Sequence, residues 1–125
     1  MRGGAFHNKI AEEVKAIFGN HGWQAYTEYR YRCNGITTYL DLLAVRGNKK
    51  IACEVETTAR HAVDNAVKAL SAGVDLWIIV PSRTLGSQIE HKLRYSGLNT
   101  KHQTVRILLF YQLEAELNSF QKNNF

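Results

Sequence analysis

Three carboxylates stand out in residues 39–56, YLDLLAVRGNKKIACEVE. Asp41 lies near the start of one apolar run, and Glu54 and Glu56 close the next, two residues apart. Gly47-Asn48 between the runs is a turn signal, so the stretch reads as an antiparallel hairpin. Strand side chains alternate faces, which puts Glu54 and Glu56 on one face, and the hairpin brings Asp41 toward them. Three gathered acids repel one another unless a positive charge sits among them, and a divalent metal ion is the usual occupant. The plainer alternative is a set of acids on the wet face of a strand. Acids are depleted in strands, and here two flank the small Val55.

The elements around this hairpin follow from periodicity. Phe6, Ile10, Val14, Ile17 and Phe18 at helical spacing predict a helix over residues 5–19, ended by Gly19-Asn20 and Gly22. Trp23–Arg32 alternates Tyr and charge as a half-exposed edge strand does, and Asn34-Gly35 turns the chain. Strands follow over Thr37–Val45 and Lys49–Glu56. Thr57 or Thr58 caps a helix running to about Ala72, with Ala59, Val63, Ala66, Val67 and Leu70 as its expected buried stripe. Leu76–Val80 is continuously apolar, as a strand buried on both faces reads. Pro81-Ser82 opens a helix to about Tyr95 with Gly86 as its weak point, Val105–Phe110 is a strand, and Tyr111–Phe120 a closing helix before a frayed QKNNF end. The expectation is one domain over residues 1–125, an α/β fold with a mixed sheet and helices on both faces.

Composition narrows the function classes. No apolar run approaches membrane-spanning length, and MRGGAFHNK contains no apolar signal region, so a cytoplasmic protein is expected. Two cysteines match neither a disulfide framework nor a metal-finger spacing. Neither GxxxxGK[ST], GxGxxG nor GxSxG occurs, which disfavours phosphate-loop enzymes and nucleophile-elbow hydrolases. Sixteen Lys and Arg stand against eleven Asp and Glu. With the hairpin acids and Glu13 gathered in one site, the remaining surface carries nine more basic than acidic residues. A basic surface around an acidic pocket suits a polyanion held by its phosphates, although a basic excess also serves solubility alone.

The element order and the positions of these acids resemble the PD-(D/E)xK nuclease superfamily, the restriction-endonuclease-like fold, with its αβββαβ core. The resemblance covers roughly residues 5–80. Asp41 takes the place of the acid near the start of the second core strand, and Glu54-Val55-Glu56 that of (D/E)-x-K. Glu13 matches the first-helix Glu of many members. The opening GAFHNKIAEEVKAIFGNHGW is similar to small archaeal-type Holliday junction resolvases. Leu40 replaces the motif Pro, and Glu56 stands where Lys is usual. The helix-strand-helix after residue 80 is a C-terminal extension.

The resemblance implies a metal-dependent DNA endonuclease, with structure- or junction-directed cleavage as the finer expectation. Asp41 and Glu54 would bind Mg²⁺ or Mn²⁺ with the Val55 carbonyl, and Glu56 would serve as base or extra ligand. Helical geometry sets Glu13 beside the buried stripe and Glu12 on the wet side. Arg60, His61 or Lys68 is a candidate replacement for the missing lysine, each with a solvated surface role as the alternative. Arg30, Arg32, Lys49, Arg60 and Lys68 are the candidate DNA contacts. A homodimer is implied because duplex or junction cleavage needs two sites, and a protein partner supplying specificity is a further expectation. The second reading is a catalytically silent nuclease-fold domain that binds DNA or a protein partner.

Overall fold

The computed structural model describes residues 4–33, 35–98 and 105–125, the side chains of 33, 36 and 38 excepted. The chain runs α1 (Ala5–Asn20), β1 (Gln24–Cys33), β2 (Ile36–Arg46), β3 (Lys49–Val55), α2 (Ala62–Ala72), β4 (Asp75–Val80), α3 (Arg83–Tyr95), β5 (Val105–Leu109) and α4 (Leu113–Asn124). The five strands form one sheet in sequence order. β1, β2 and β3 are an antiparallel meander, while β3, β4 and β5 run parallel, joined by the crossover helices α2 and α3. Every expected element is present in the expected order, but α2 starts at Ala62 after a bend and turn over residues 57–61, with His61 and not Thr57 or Thr58 at its N-cap, and β3 ends at Val55. Asn34, half of the expected turn, lies outside the described residues, and Gly35 takes φ +77°.

The alternation along β4 shows how the sheet is covered. Leu76, Ile78 and Val80 join the core beneath α2 and α3, whereas Trp77 and Ile79 join the core with α1 and α4. All five are fully or almost fully buried, as a central strand between two helical layers requires. Ser82 caps α3 by accepting from the Leu85 N–H at 3.2 Å, and Gly73 ends α2 in the left-handed conformation. No described helix is long and apolar enough to cross a membrane.

Two helices are rotated from their expected orientation. α1 buries His7, Ala11, Val14 and Phe18, while Phe6 is exposed. α2 buries Ala62, Ala66, Ala69 and Ala72, and leaves Val67 and Leu70 exposed. α2 turns only alanines to the sheet, which lets its axis approach closely, whereas α1 buries Val14 and Phe18 with His7 and Ala11. The larger aliphatic residues of α2 then fall to the flank. The C-terminus is also more ordered than expected. α4 reaches Asn124, and the Phe125 ring packs on Trp23 and beneath the Arg46 guanidinium, 4.4 Å from the ring centroid.

Candidate functional site at the opening of the sheet

The ladder between β2 and β3 pairs Arg46 with Lys49 through Leu42 with Cys53, then stops. The next step would set Asp41 opposite Glu54. On its other side, β2 pairs Leu42 with Thr27 and Leu40 with Tyr29, but skips Asp41 and Glu28. The sheet therefore opens between β2 and β3 at Asp41, while the β1–β2 ladder is interrupted by one step there and resumes at Leu40 and Tyr29. Side-chain hydrogen bonds replace the missing ladder. Asp41 Oδ2 accepts from the Val55 N–H at 2.8 Å, and Glu54 Oε2 accepts from the Asp41 N–H at 3.4 Å. Within a strand, the N–H and C=O of one residue lie on the same edge, so the Val55 carbonyl also faces the opening.

His7 completes this corner from the first turn of α1. Its Nε2 donates to Asp41 Oδ2 at 3.1 Å, while its buried Nδ1 has no hydrogen-bond partner among the described residues. Asp41, Glu54 and Glu56 are only 8 %, 1 % and 2 % exposed, so three carboxylates lie at or beneath the sheet surface. Their field extends to the far face. Burial raises the Cys53 thiol pKa well above its usual value, and the charges of Glu54 and then Asp41 push it the same way.

A cleft of about 1070 Å³ opens over this corner. α1 contributes His7, Asn8, Ala11 and Glu12, and the meander adds Thr27, Glu28, Thr37, Tyr39, Leu40 and Asp41. His61, Asp64, Asn65 and Lys68 close it from one flank of α2. Glu28 has φ +50°, the one positive φ outside glycine among the described residues. That conformation is costly for a side chain with a Cβ, and it occurs at the step facing Asp41.

The structure brings together some of the expected site residues and separates others. Asp41 lines the cleft, with Glu54 directly beneath it. Glu56 is turned toward α2, where its Oε1 accepts from Asn65 Nδ2 at 2.8 Å. The reading of Glu13 needs correction. With His7, Ala11, Val14 and Phe18 inward, Glu12 faces the cleft and Glu13 shares the opposite flank with Ile10 and Ile17. Of the five basic candidates, only Lys68 lines the cleft. Arg60 sits in the turn before α2, beside the cleft-lining His61, and Arg30 and Arg32 are exposed on β1. Lys49 pairs with Arg46 at the far turn, five residues and about 17 Å along β3 from Glu54.

His7, Glu12, Glu28, Asp64 and Asn65 were not foreseen as site residues. The signal for His7 was present: residues 7, 11, 14 and 18 form a helical stripe once Ala11 counts as a buried position. Glu28 carries no such signal, because the skipped ladder step depends on the pairing of two strands.

No group of three or more His, Cys, Asp or Glu side chains among the described residues is arranged to hold a metal ion. Two carboxylates and one carbonyl do meet at the opening. This hard-oxygen set suits Mg²⁺, which binds through one or two carboxylates and keeps several of its waters. The donor chemistry thus fits the ion implied by the acid positions.

No protein-family model matches the chain, and no curated protein matches it in sequence. Solved structures match it in fold. The small subunit (R.BspD6I2) of the heterodimeric restriction endonuclease R.BspD6I aligns over 93 % of this chain and 70 % of its own, with TM-score 0.56 and 13 % identity. AF1548, a protein of unknown function, aligns over 94 % of this chain and 66 % of its own, just under two thirds, with TM-score 0.57 and 14 % identity. At such identities the likeness concerns the fold alone. The αβββαβ core, the mixed five-stranded sheet and these neighbours together give the chain the restriction-endonuclease-like fold, extended by α3, β5 and α4.

Proposed function

We propose that this chain is a metal-dependent DNA endonuclease that hydrolyses a phosphodiester with a metal-activated water. The observation that carries the reading is the meeting of Asp41 and Glu54 where the sheet opens beneath a cleft. The neighbouring restriction endonuclease subunit supports it at the level of fold. Asp41, Glu54 and the Val55 carbonyl hold the ion. When bound, Mg²⁺ or Mn²⁺ polarises the scissile phosphate and lowers the pKa of a coordinated water. His7 and the Val55 N–H fix the Asp41 carboxylate from two directions, so its orientation is set before substrate arrives. The α1 and α2 walls flank the strand that is cut.

Junction- or structure-directed cleavage is part of the proposal beside duplex cleavage. The neighbour is one subunit of a heterodimer. By analogy, a second copy of this chain or a partner subunit supplies the second active site for cutting both strands. A catalytically silent DNA-binding domain is the second reading. It is favoured by the near-complete burial of Glu54 and Glu56.

Incubation of the protein with Mg²⁺ or Mn²⁺ and labelled duplex, four-way junction or single-stranded DNA separates these readings. Cleavage that disappears in Asp41→Asn and Glu54→Gln, with DNA binding retained, is the expected result. A wild type that binds DNA but cuts none of the three supports the silent domain.

A further inference from the structure

The described lining of the cleft is strongly acidic. Glu12, Glu28, Asp41 and Asp64 reach it, and Glu54 and Glu56 lie buried at its edge. Against these stands one lysine, Lys68, and no arginine. A phosphate backbone entering such a cleft meets repulsion from every wall except where Lys68 projects. The proposed ion neutralises charge at Asp41 and Glu54 but leaves the α2 wall unchanged.

α2 is built to present this lysine in a fixed direction. His61, Asp64, Asn65 and Lys68 share one flank of the helix at spacings of three, four and seven. Ala62, Ala66 and Ala69 seat the opposite side against the sheet with essentially no exposure. The hydrogen bond from Asn65 Nδ2 to Glu56 Oε1 ties this flank to the end of β3. Lys68 lies one turn beyond that tie, so its stem leaves a helix whose rotation is fixed.

Resting on the nuclease reading, we propose that Lys68 is the cation of this cleft that contacts the substrate phosphate. Glu56 and Asn65 are its positioning residues. The positive group absent from the end of β3 is thereby supplied from α2, and Glu56 acts as a strut between the two elements.

The test combines salt-dependent DNA binding with cleavage. Binding of a fluorescent oligonucleotide is measured in Ca²⁺ over a range of salt concentrations for wild type, Lys68→Ala, Lys68→Arg and, as a control on α4, Lys122→Ala. Loss of one phosphate contact lowers the slope of log K against log salt by about 1 in Lys68→Ala, and Lys68→Arg keeps the wild-type slope. In Mn²⁺, Lys68→Ala cuts about 10²-fold more slowly, as expected on removing one charge-stabilising donor. Glu56→Gln, which keeps an acceptor for Asn65, retains most activity. Glu56→Ala loses it, with little further loss when combined with Lys68→Ala.

A Lys68→Ala protein that binds and cuts like wild type overturns the inference and leaves the nuclease reading standing. A wild type that binds without cutting overturns the nuclease reading, and the salt slope then decides on Lys68 alone. A wild type that neither binds nor cuts overturns both. If Glu56→Gln is as inactive as Glu56→Ala while thermal unfolding is unchanged, the carboxylate charge itself acts in catalysis and the strut role is wrong.

Discussion

Asp41 Oδ2 accepts the Val55 N–H at 2.8 Å, where a backbone carbonyl would otherwise serve the ladder. This one contact couples stability to the site. Asp41→Ala leaves a buried N–H without its acceptor and costs about 1–3 kcal/mol in denaturant unfolding. Asp41→Asn keeps an acceptor oxygen and costs less, yet loses the charge needed to hold a divalent ion. Equal destabilisation by the two substitutions would show that the Val55 contact contributes little.

Glu28 adopts φ +50° at the β1 step that faces Asp41. Glycine takes this conformation without the Cβ clash, at some cost in unfolded-chain entropy. Glu28→Gly is therefore expected to be neutral or up to about 1 kcal/mol more stable in urea unfolding. Glu28→Val should lose about 1–2 kcal/mol, because a β-branched residue is least tolerant of positive φ. A Val variant as stable as wild type would mean that the backbone relaxes freely there.

Asp75 begins β4, and burial raises its carboxyl pKa from the usual value near 3.8, with Arg106 and Lys49 pulling the other way. The folded state therefore holds this proton more tightly than the unfolded chain does. The contribution of Asp75 to stability is most favourable below the unfolded value and declines as pH rises through the folded one. Asp75→Asn removes this dependence. Thermal unfolding should show the variant gaining on wild type as pH rises from below the unfolded value through the raised folded one, then a constant difference. A gain in the opposite direction would show that attraction to Arg106 and Lys49 outweighs burial.

Gly86 sits inside α3, where an added Cβ would lie 3.4 Å from a Val80 methyl and 3.6 Å from an Ile107 methyl. Those are ordinary packing distances. Gly86→Ala should gain up to about 1 kcal/mol from helix propensity, read by thermal unfolding. A loss of stability would mean that α3 cannot tolerate the added methyl against the sheet.

The order of elements was legible because each strand and helix here carries its own period. Leu76–Val80 shows the pattern most clearly, with both faces buried and both neighbours parallel. Asp41 and Glu54 were legible as acids at the paired ends of a hairpin. The rotation of α1 and α2 was not. Large aliphatic residues dominate a sequence pattern, whereas α2 turns the alanines at 62, 66 and 69 to the sheet, and α1 keeps Val14 and Phe18 inward but adds His7 and Ala11 in place of Phe6. That rotation exchanged Glu13 for Glu12 and hid His7. The skipped ladder steps at Asp41 were equally hidden, because they depend on how β2 pairs with both β1 and β3 and not on any one segment.

The central claim is that Asp41 and Glu54 hold a divalent cation at the opening of the sheet. Titration of the protein with Mn²⁺, following the free-ion signal by electron paramagnetic resonance, tests it without relying on cleavage. Wild type is predicted to remove Mn²⁺ from solution saturably. Asp41→Asn and Glu54→Gln should fail to do so while unfolding cooperatively. Wild type that leaves the free Mn²⁺ signal unchanged, or variants that bind as wild type does, would contradict the account.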